Sequence, residues 1–585
     1  MFLWMWSDDT HMAEVETPNP PAKITFREIL SALRHRKSAA MFVLGMAAGL
    51  PYVLITGTLN AWFTSEDISI KTIGVFSWIG ILLGFKFLWS PAIDRAAFPA
   101  TLGMGQRRAG ILLLQVLIVL SLGVIAFLEP TTQLGLIAIA AIICTLAFTS
   151  QDILIDAWRI EVADETQTID LLSGVYQIGY RLSAILGGAG ALFIAARIGW
   201  ENTFIALSIL MAFCMSGVFL AENSVADRKS REMDANSPSR KARNIALIPV
   251  LLGWAWSIYA LFSFMAYALS NPDAADAGKF TRETGPIIIF VTIILPVIGA
   301  AILHFRFRNT DAARAQQKEG TTPQSVVQSV LNALYSSILV PMMDIVERLR
   351  YGAILVLIVA LTYRFTDLIW GAFAYPFYLG ENYGALGHTF DEVAIASKIF
   401  GSMMTAAGIV IGGLVILRVG RMPSLVIGGV LAASTNLLFA DLALGAPITD
   451  KVLSFLHLYQ PLAFIFQPIA DFLRLDASIN EKLVQLMAVI AAENLSVGFA
   501  SAAIVVYLSS IANPKYAAVQ YALLASLSML IGTLGRGWFG ELIEERGFAF
   551  VFYLSAGLGA VAVLATIAEW IRQSRTPQKL PPSAS

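Results

Sequence analysis

Apolar runs of about 20 residues recur along this chain, and at about 1.5 Å of rise per residue each is long enough to cross a hydrocarbon layer about 30 Å thick. Within such a layer each backbone N–H and C=O must find its partner inside the segment, so runs of this length predict helices. Composition points the same way: 57% of residues are hydrophobic and 14% are charged, whereas soluble domains carry about 25% charged residues. The expected fold class is all-α, a polytopic membrane protein with about 14 spans. They centre on 38–62, 72–91, 109–128, 134–158, 170–196, 203–221, 245–270, 286–305, 352–379, 393–417, 424–445, 484–510, 517–539 and 548–571.

The polar stretches between these runs divide the chain. Residues 1–37 read as a cytoplasmic N-terminal segment, 38–221 as a first six-helix bundle, and 222–351 as a cytoplasmic linker holding two additional spans. Residues 352–571 read as a second six-helix bundle, and 572–585 as a disordered tail rich in Pro and Ser. An amphipathic segment, 447–482, interrupts the second bundle and reads as an interfacial helix pair on the outer face. The net charge of −1 conceals an asymmetry: stretches 23–37, 95–108, 222–243, 306–350 and 418–421 are basic, and the loops between them are neutral or acidic. By the positive-inside rule both termini are cytoplasmic. One loop breaks the pattern, 160–169, which holds Glu161, Asp164 and Glu165. The basic residues form no continuous patch, so no nucleic-acid partner is expected. The two cysteines, Cys144 and Cys214, lie in apolar runs with no metal-ligand spacing and are expected to pack.

Charges inside the spans carry the functional reading. Asp152 and Asp156, in Ser150-Gln151-Asp152-Ile153-Leu154-Ile155-Asp156, are four apart and share a helix face. A carboxylate near mid-bilayer costs about 2.5–3.5 kcal/mol to insert, so it faces a partner or a wet chamber. Arg181 in the next span is the expected partner of Asp152 or Asp156. Lys86 near the end of the second span either snorkels to the surface or gates, and Asp94 and Arg95 just beyond it are expected at a helix-end gate. In the second half Arg364 and Asp367 are three apart, and Glu493 is followed by Asn494. Glu493 and Asp367 are the expected proton carriers. Gly49-Leu50-Pro51 weakens the first span near its middle, either exposing backbone to a central chamber or only aiding packing. For each of these charges a structural ion pair is the alternative to a substrate or proton site.

Several blocks resemble the AmpG-type muropeptide permeases of the major facilitator superfamily. They are Gly49-Leu50-Pro51 with Gly57-Thr58-Leu59-Asn60-Ala61-Trp62, Lys71-Thr72-Ile73-Gly74, Phe85-Lys86-Phe87-Leu88-Trp89-Ser90-Pro91 with Asp94-Arg95, Gln151-Asp152-Ile153 with Asp156-Ala157-Trp158, and Gly179-Tyr180-Arg181-Leu182. Glu493-Asn494 and Gln520-Tyr521-Ala522-Leu523-Leu524 with Ser526-Leu527 extend the resemblance into the second half. It implies a major facilitator fold in a bacterial inner membrane and, in place of a cofactor, a proton gradient. It also implies uptake of N-acetylglucosaminyl-1,6-anhydro-N-acetylmuramyl peptides for cell-wall recycling, a process tied to β-lactamase induction, with Gly49, Gln151, Asp152 and Glu493 near the sugar-peptide. A monomer in the bilayer is expected. The extra spans and segment 447–482 exceed what a twelve-helix transporter needs.

Other cargoes remain on the sequence alone, acetyl-CoA-like or siderophore-like molecules among them. A membrane enzyme using Asp152 and Asp156 as an acid–base pair lacks any accompanying nucleotide loop or metal-ligand cluster. A non-transporting sensor of wall fragments is the fourth reading.

Overall fold

In the computed structural model the apolar runs are helical, and no strand occurs among the described residues, 34–86, 103–223, 240–272, 274–303, 326–349, 352–511 and 517–575 with 89, 90, 93 and 98. The expectations for Asp94, Arg95, the N-terminal extension and the tail beyond 575 fall outside them.

The helices are α1 (Arg36–Ser65), α2 (Ile70–Leu83), α3 (Gln106–Ala126), α4 (Pro130–Val162), α5 (169–198) and α6 (200–220). The central part holds α7 (Ala242–Ser270), α8 (Gly285–Ile302) and α9 (Val326–Leu349). Then follow α10 (Gly352–Leu379), α11 (Phe390–Val419), α12 (Arg421–Ala443), α13 (Pro447–Phe455), α14 (Tyr459–Phe472), α15 (Glu481–Ile511), α16 (517–546) and α17 (548–575).

Among the described residues, eleven helices are long and apolar enough to cross a membrane, or twelve if the bent pair α13–α14 is one span. The expected fourteen is not fixed by this count. Two of the eleven, Leu171–Leu220 and Met529–Arg575, each reverse at a glycine with φ of 81°, Gly199 and Gly547, and the second run is short at Ile70–Leu83. Only glycine takes that left-handed turn without a Cβ penalty. The segment read as an outer-face pair is two helices meeting at 93°, with Phe455, Phe464 and Phe472 more than four-fifths exposed.

Close helix contact follows from small residues. A side chain at Gly45 or Gly179 would strike the backbone of the facing helix, at Tyr176 and at Phe42, so α1 and α5 lie backbone to backbone. Gly408 and Gly498 do the same between α11 and α15. Two reciprocal contacts join the helices before residue 222 to those after 352: α2 packs on α16, and α5 on α11. The second helix of each set thus meets the fifth of the other. Cys144 and Cys214 are buried and unpaired.

The acidic loop that broke the charge pattern has a local explanation. Lys37 reaches Asp164 at 2.5 Å, and Arg107 holds Glu161 at 2.6 Å, so cations from the adjoining basic segments neutralise it.

Candidate substrate and proton pathway

Four spans contain a π-helical turn among the described residues, one of them at Phe290–Ile294 in α8, and the other three turns lie against one another. In α1, Pro51 withholds a backbone donor and a π-helical turn follows at Leu54–Thr58. Further π-helical turns occupy Leu186–Gly190 in α5 and Ala394–Phe400 in α11. They touch: the Thr58 hydroxyl donates to the Gly187 carbonyl at 2.7 Å, and the turn in α5 packs against the turn in α11. Widened turns free backbone groups and reorient side chains.

The first group of charges lies on α2, α4 and α5. Asp152 receives the Lys86 ammonium on Oδ2 and the Tyr176 hydroxyl on Oδ1 at 2.8 Å. Lys86 therefore turns inward to a carboxylate, and the snorkelling alternative is corrected. Asp156 pairs with Arg159 on its own helix at 2.8 Å. The expected partnership of Arg181 with Asp152 or Asp156 does not form. Tyr176 occupies Asp152, and Arg181, five residues further, stands about 140° around α5. Arg181 is exposed on the side turned away from α1. Gly49 is buried at the α1–α5 contact, where a Cβ would lie 2.5 Å from the Tyr180 carbonyl oxygen. It is a packing position. Gln151 is fully buried, and neither of its amide atoms has a partner.

The second group lies on α10, α11 and α15. α10 breaks at Tyr363-Arg364, and Asp367 in the first turn after the break sits 3.5 Å from Arg364 Nε. Glu493 Oε2 accepts from the Asn494 amide at 2.6 Å, while Thr405 donates to Asn494 Oδ1 at 2.7 Å. No cation lies within ion-pair distance of Glu493 among the described residues, although Asp367 and Lys398 are within electrostatic reach. The structure thus gathers Arg364, Asp367, Glu493 and Asn494 in one group, and Lys86, Asp152 and Tyr176 in another. Among the described residues no three His, Cys, Asp or Glu side chains are placed to hold a metal ion.

Four residues absent from the sequence-based set join the two halves. Arg197, just before the Gly199 reversal, forks onto Asp391 at 3.0 and 2.9 Å. Its Nη2 also donates to the Arg474 carbonyl at 2.5 Å, and the Asp476 N–H donates to Asp391 Oδ2 at 2.6 Å. Arg536 on α16 donates to the Leu368 carbonyl at 2.8 Å and the Ser77 carbonyl at 3.4 Å, bridging α10 and α2. Lys398, on the widened turn of α11, lies with its ammonium 4.8 Å from the centre of the Tyr375 ring. Lys398 could have been found from sequence, as the lone charge within the apolar run 393–417. Arg197 and Asp391 could not, since both sit at run ends where charge is ordinary.

No protein-family model matches the chain. It is 27% identical over 541 residues to the anhydromuropeptide permease of Escherichia coli strain K12, a match covering 91% of this chain and 79% of that protein. It is 25% identical to a transporter named AmpG 4 of Rickettsia felis, over 90% of this chain and 94% of the relative. Among solved structures, a POT family transporter in complex with 5-aminolevulinic acid superposes with a TM-score of 0.56 at 12% identity, covering 92% of this chain and 96% of that one. The nucleoside transporter NupG superposes with a TM-score of 0.55 at 11% identity, over 91% and 100%. The chain is an all-α membrane transporter with the major facilitator fold, similar along 91% of its length to a permease of the AmpG type.

Proposed function

We propose that the chain is a proton-coupled importer of anhydromuropeptides, the disaccharide-peptides released by cell-wall turnover. The observation that carries this reading is the similarity to the anhydromuropeptide permease over 541 residues. It runs through the segments that hold Lys86, Asp152, Asp367 and Glu493. In this reading the chain works as a monomer in a bacterial inner membrane, with both termini in the cytoplasm. The end bearing Gly199 and Gly547 then faces outward and the Lys37 end faces inward. The Arg197–Asp391 fork closes the outer side between two six-helix halves, and the substrate leaves inward.

The polar groups divide the work. Asp152, held by Lys86 and Tyr176, offers a substrate-side hydrogen-bonding site whose partners exchange when sugar hydroxyls arrive. Glu493, with an amide for its nearest partner and no cation in contact, carries the proton, and Asp367 and Arg364 adjoin it. Gly49 keeps α1 and α5 in contact, and Asp156 with Arg159, Asn494 with Thr405, and Gln151 support the same surfaces. One net charge entering per cycle gains about 2.3 kcal/mol per 100 mV. At about 1.4 kcal/mol per tenfold, that sustains accumulation of about fifty-fold.

Uptake of labelled disaccharide-tripeptide into inverted or right-side-out vesicles, with and without an imposed pH gradient, tests the proposal. Gradient-stimulated uptake is expected. Uptake indifferent to the gradient would remove the proton coupling, and absence of uptake under either condition would remove the substrate.

A further inference from the structure

Most intramembrane charges on this chain have an opposite charge in contact. Asp152 has Lys86, Asp156 has Arg159, Asp391 has Arg197, and Asp367 has Arg364. Arg536 spends its donors on backbone carbonyls. Two cations remain, Lys398 and Arg181, and among the described residues neither has a carboxylate within ion-pair distance. A cation inside a bilayer with no carboxylate in contact is costly and marks a pathway.

The surroundings of Lys398 are built. Its stem lies close against Gly188 of α5, where a Cβ would come within 3.2 Å of Lys398 Cδ. Its ammonium rests over the Tyr375 ring at 4.8 Å. Tyr375 in turn packs on Gly57 of α1, where a Cβ would lie 3.3 Å from the ring. The Tyr375 hydroxyl is buried without a hydrogen-bond partner. The ammonium thus has a ring face in contact and the Glu493 carboxyl only within electrostatic reach, both weaker partners than a carboxylate accepting a charge-assisted hydrogen bond. Arg181 lies seven residues before Gly188, about 10 Å along the axis of the same helix, with the widened turn at Leu186–Gly190 between them. The two cations thus belong to α5 and α11, the helices that meet where Gly188 touches the Lys398 stem.

We propose that Lys398 and Arg181 form the anion-recognition site of the transporter, receiving carboxylates of the cargo's peptide about 10 Å apart. This rests on the reading of the chain as a muropeptide importer, and it names the part of the cargo that the two cations read. The ammonium leaves the Tyr375 face for the incoming carboxylate, and the guanidinium takes the second one bidentately. Because Lys398 sits seven residues from Asp391 on the same helix, an occupied site and the outer fork load one rigid element.

The test compares vesicle uptake of labelled disaccharide-tripeptide with uptake of the same compound after its carboxylates are converted to carboxamides. Wild-type protein should show an apparent KM about tenfold higher for the amide form. Lys398→Gln should raise the apparent KM for the acid form about tenfold, leave the maximal rate within twofold, and abolish the preference for acid over amide. Lys398→Arg should keep the preference. Arg181→Gln should lower it, and this variant decides the matter if Lys398→Gln is not recovered in the membrane. Preserved preference in both glutamine variants overturns the site, as does an equal loss for acid and amide that Lys398→Arg restores. Wild-type vesicles that take up neither compound overturn the muropeptide reading, and the site with it.

Discussion

Arg197 and Asp391 are 194 residues apart and form a two-pronged ion pair, with Asp391 almost wholly buried and Arg197 one-third exposed. The pair ties the Gly199 end of α5 to the start of α11, and the stretch after α14 braces it from both sides. Removing one member of a buried pair leaves the other desolvated and uncompensated, at a cost of about 3–5 kcal/mol, reduced here by the exposure of the arginine. Arg197→Ala should therefore destabilise the detergent-solubilised protein by about 2 kcal/mol. Asp391→Asn should cost less, because Arg197 keeps the Arg474 carbonyl and water. Thermal melts of both single variants and the double variant close the cycle. Strict additivity would show that the fork contributes nothing.

Lys86 and Tyr176 both depend on Asp152 for their polar contacts. Asp152→Asn removes the charge and keeps the shape, so uptake should fall at least tenfold while insertion and melting temperature stay near wild type. A tenfold loss corresponds to about 1.4 kcal/mol of lost interaction. Lys86→Gln should match it within a few-fold, since each leaves the other unpaired. Glu493→Gln should instead remove the response to a pH gradient and leave exchange of labelled for unlabelled substrate intact. Gradient-driven uptake at the wild-type rate in Glu493→Gln would move the proton to another acid.

The helical class of the apolar runs and the break in α1 were legible because apolar run length and Pro51 act locally, whereas the expected fourteen crossings are not fixed by the eleven or twelve candidate spans among the described residues. The Asp152–Lys86 pair was not, because its partners are 66 residues apart in sequence and helix rotation decides which side chains meet. The same blindness misassigned the partner of Arg181, because the run of apolar residues does not reveal its azimuth around α5. The acidic loop 160–169 contradicted the charge rule only until Lys37 and Arg107 were seen folded onto it. Gly49 carried a signal of small size that serves cavity and contact equally well, and the facing backbone of Tyr180 decides for contact.

Gly179 and Gly45 make the α1–α5 contact steeply sensitive to size. A Cβ at Gly179 would overlap the Phe42 carbonyl, which is backbone and cannot rotate away. Overpacking of this kind costs about 1–3 kcal/mol for one added methyl and more for larger groups. Gly179→Ala should lower the melting temperature and Gly179→Val should abolish recovery of folded protein. Gly174, on the same helix with open space beside it, should accept alanine without loss. Equal tolerance at both glycines, measured by size-exclusion recovery after heating, would mean that the helices are further apart than described.

Asp164 in the turn between α4 and α5 has a carboxyl held well below the ordinary carboxylate range, first by the Lys37 ammonium and then by donors from Gln167 and Thr166. A lowered folded-state value means that the contact stabilises the protein fully above the unfolded value of about 3.9 and loses that contribution as pH falls toward the folded value. Asp164→Asn cannot titrate. The melting-temperature gap between wild type and Asp164→Asn should therefore hold constant from pH 8 to about pH 5 and shrink below about pH 4. A gap that widens on acidification would require the carboxyl to be raised, and so would detach Lys37 from the loop. High salt should narrow the gap at neutral pH, because the carboxylate is solvent-exposed and screened.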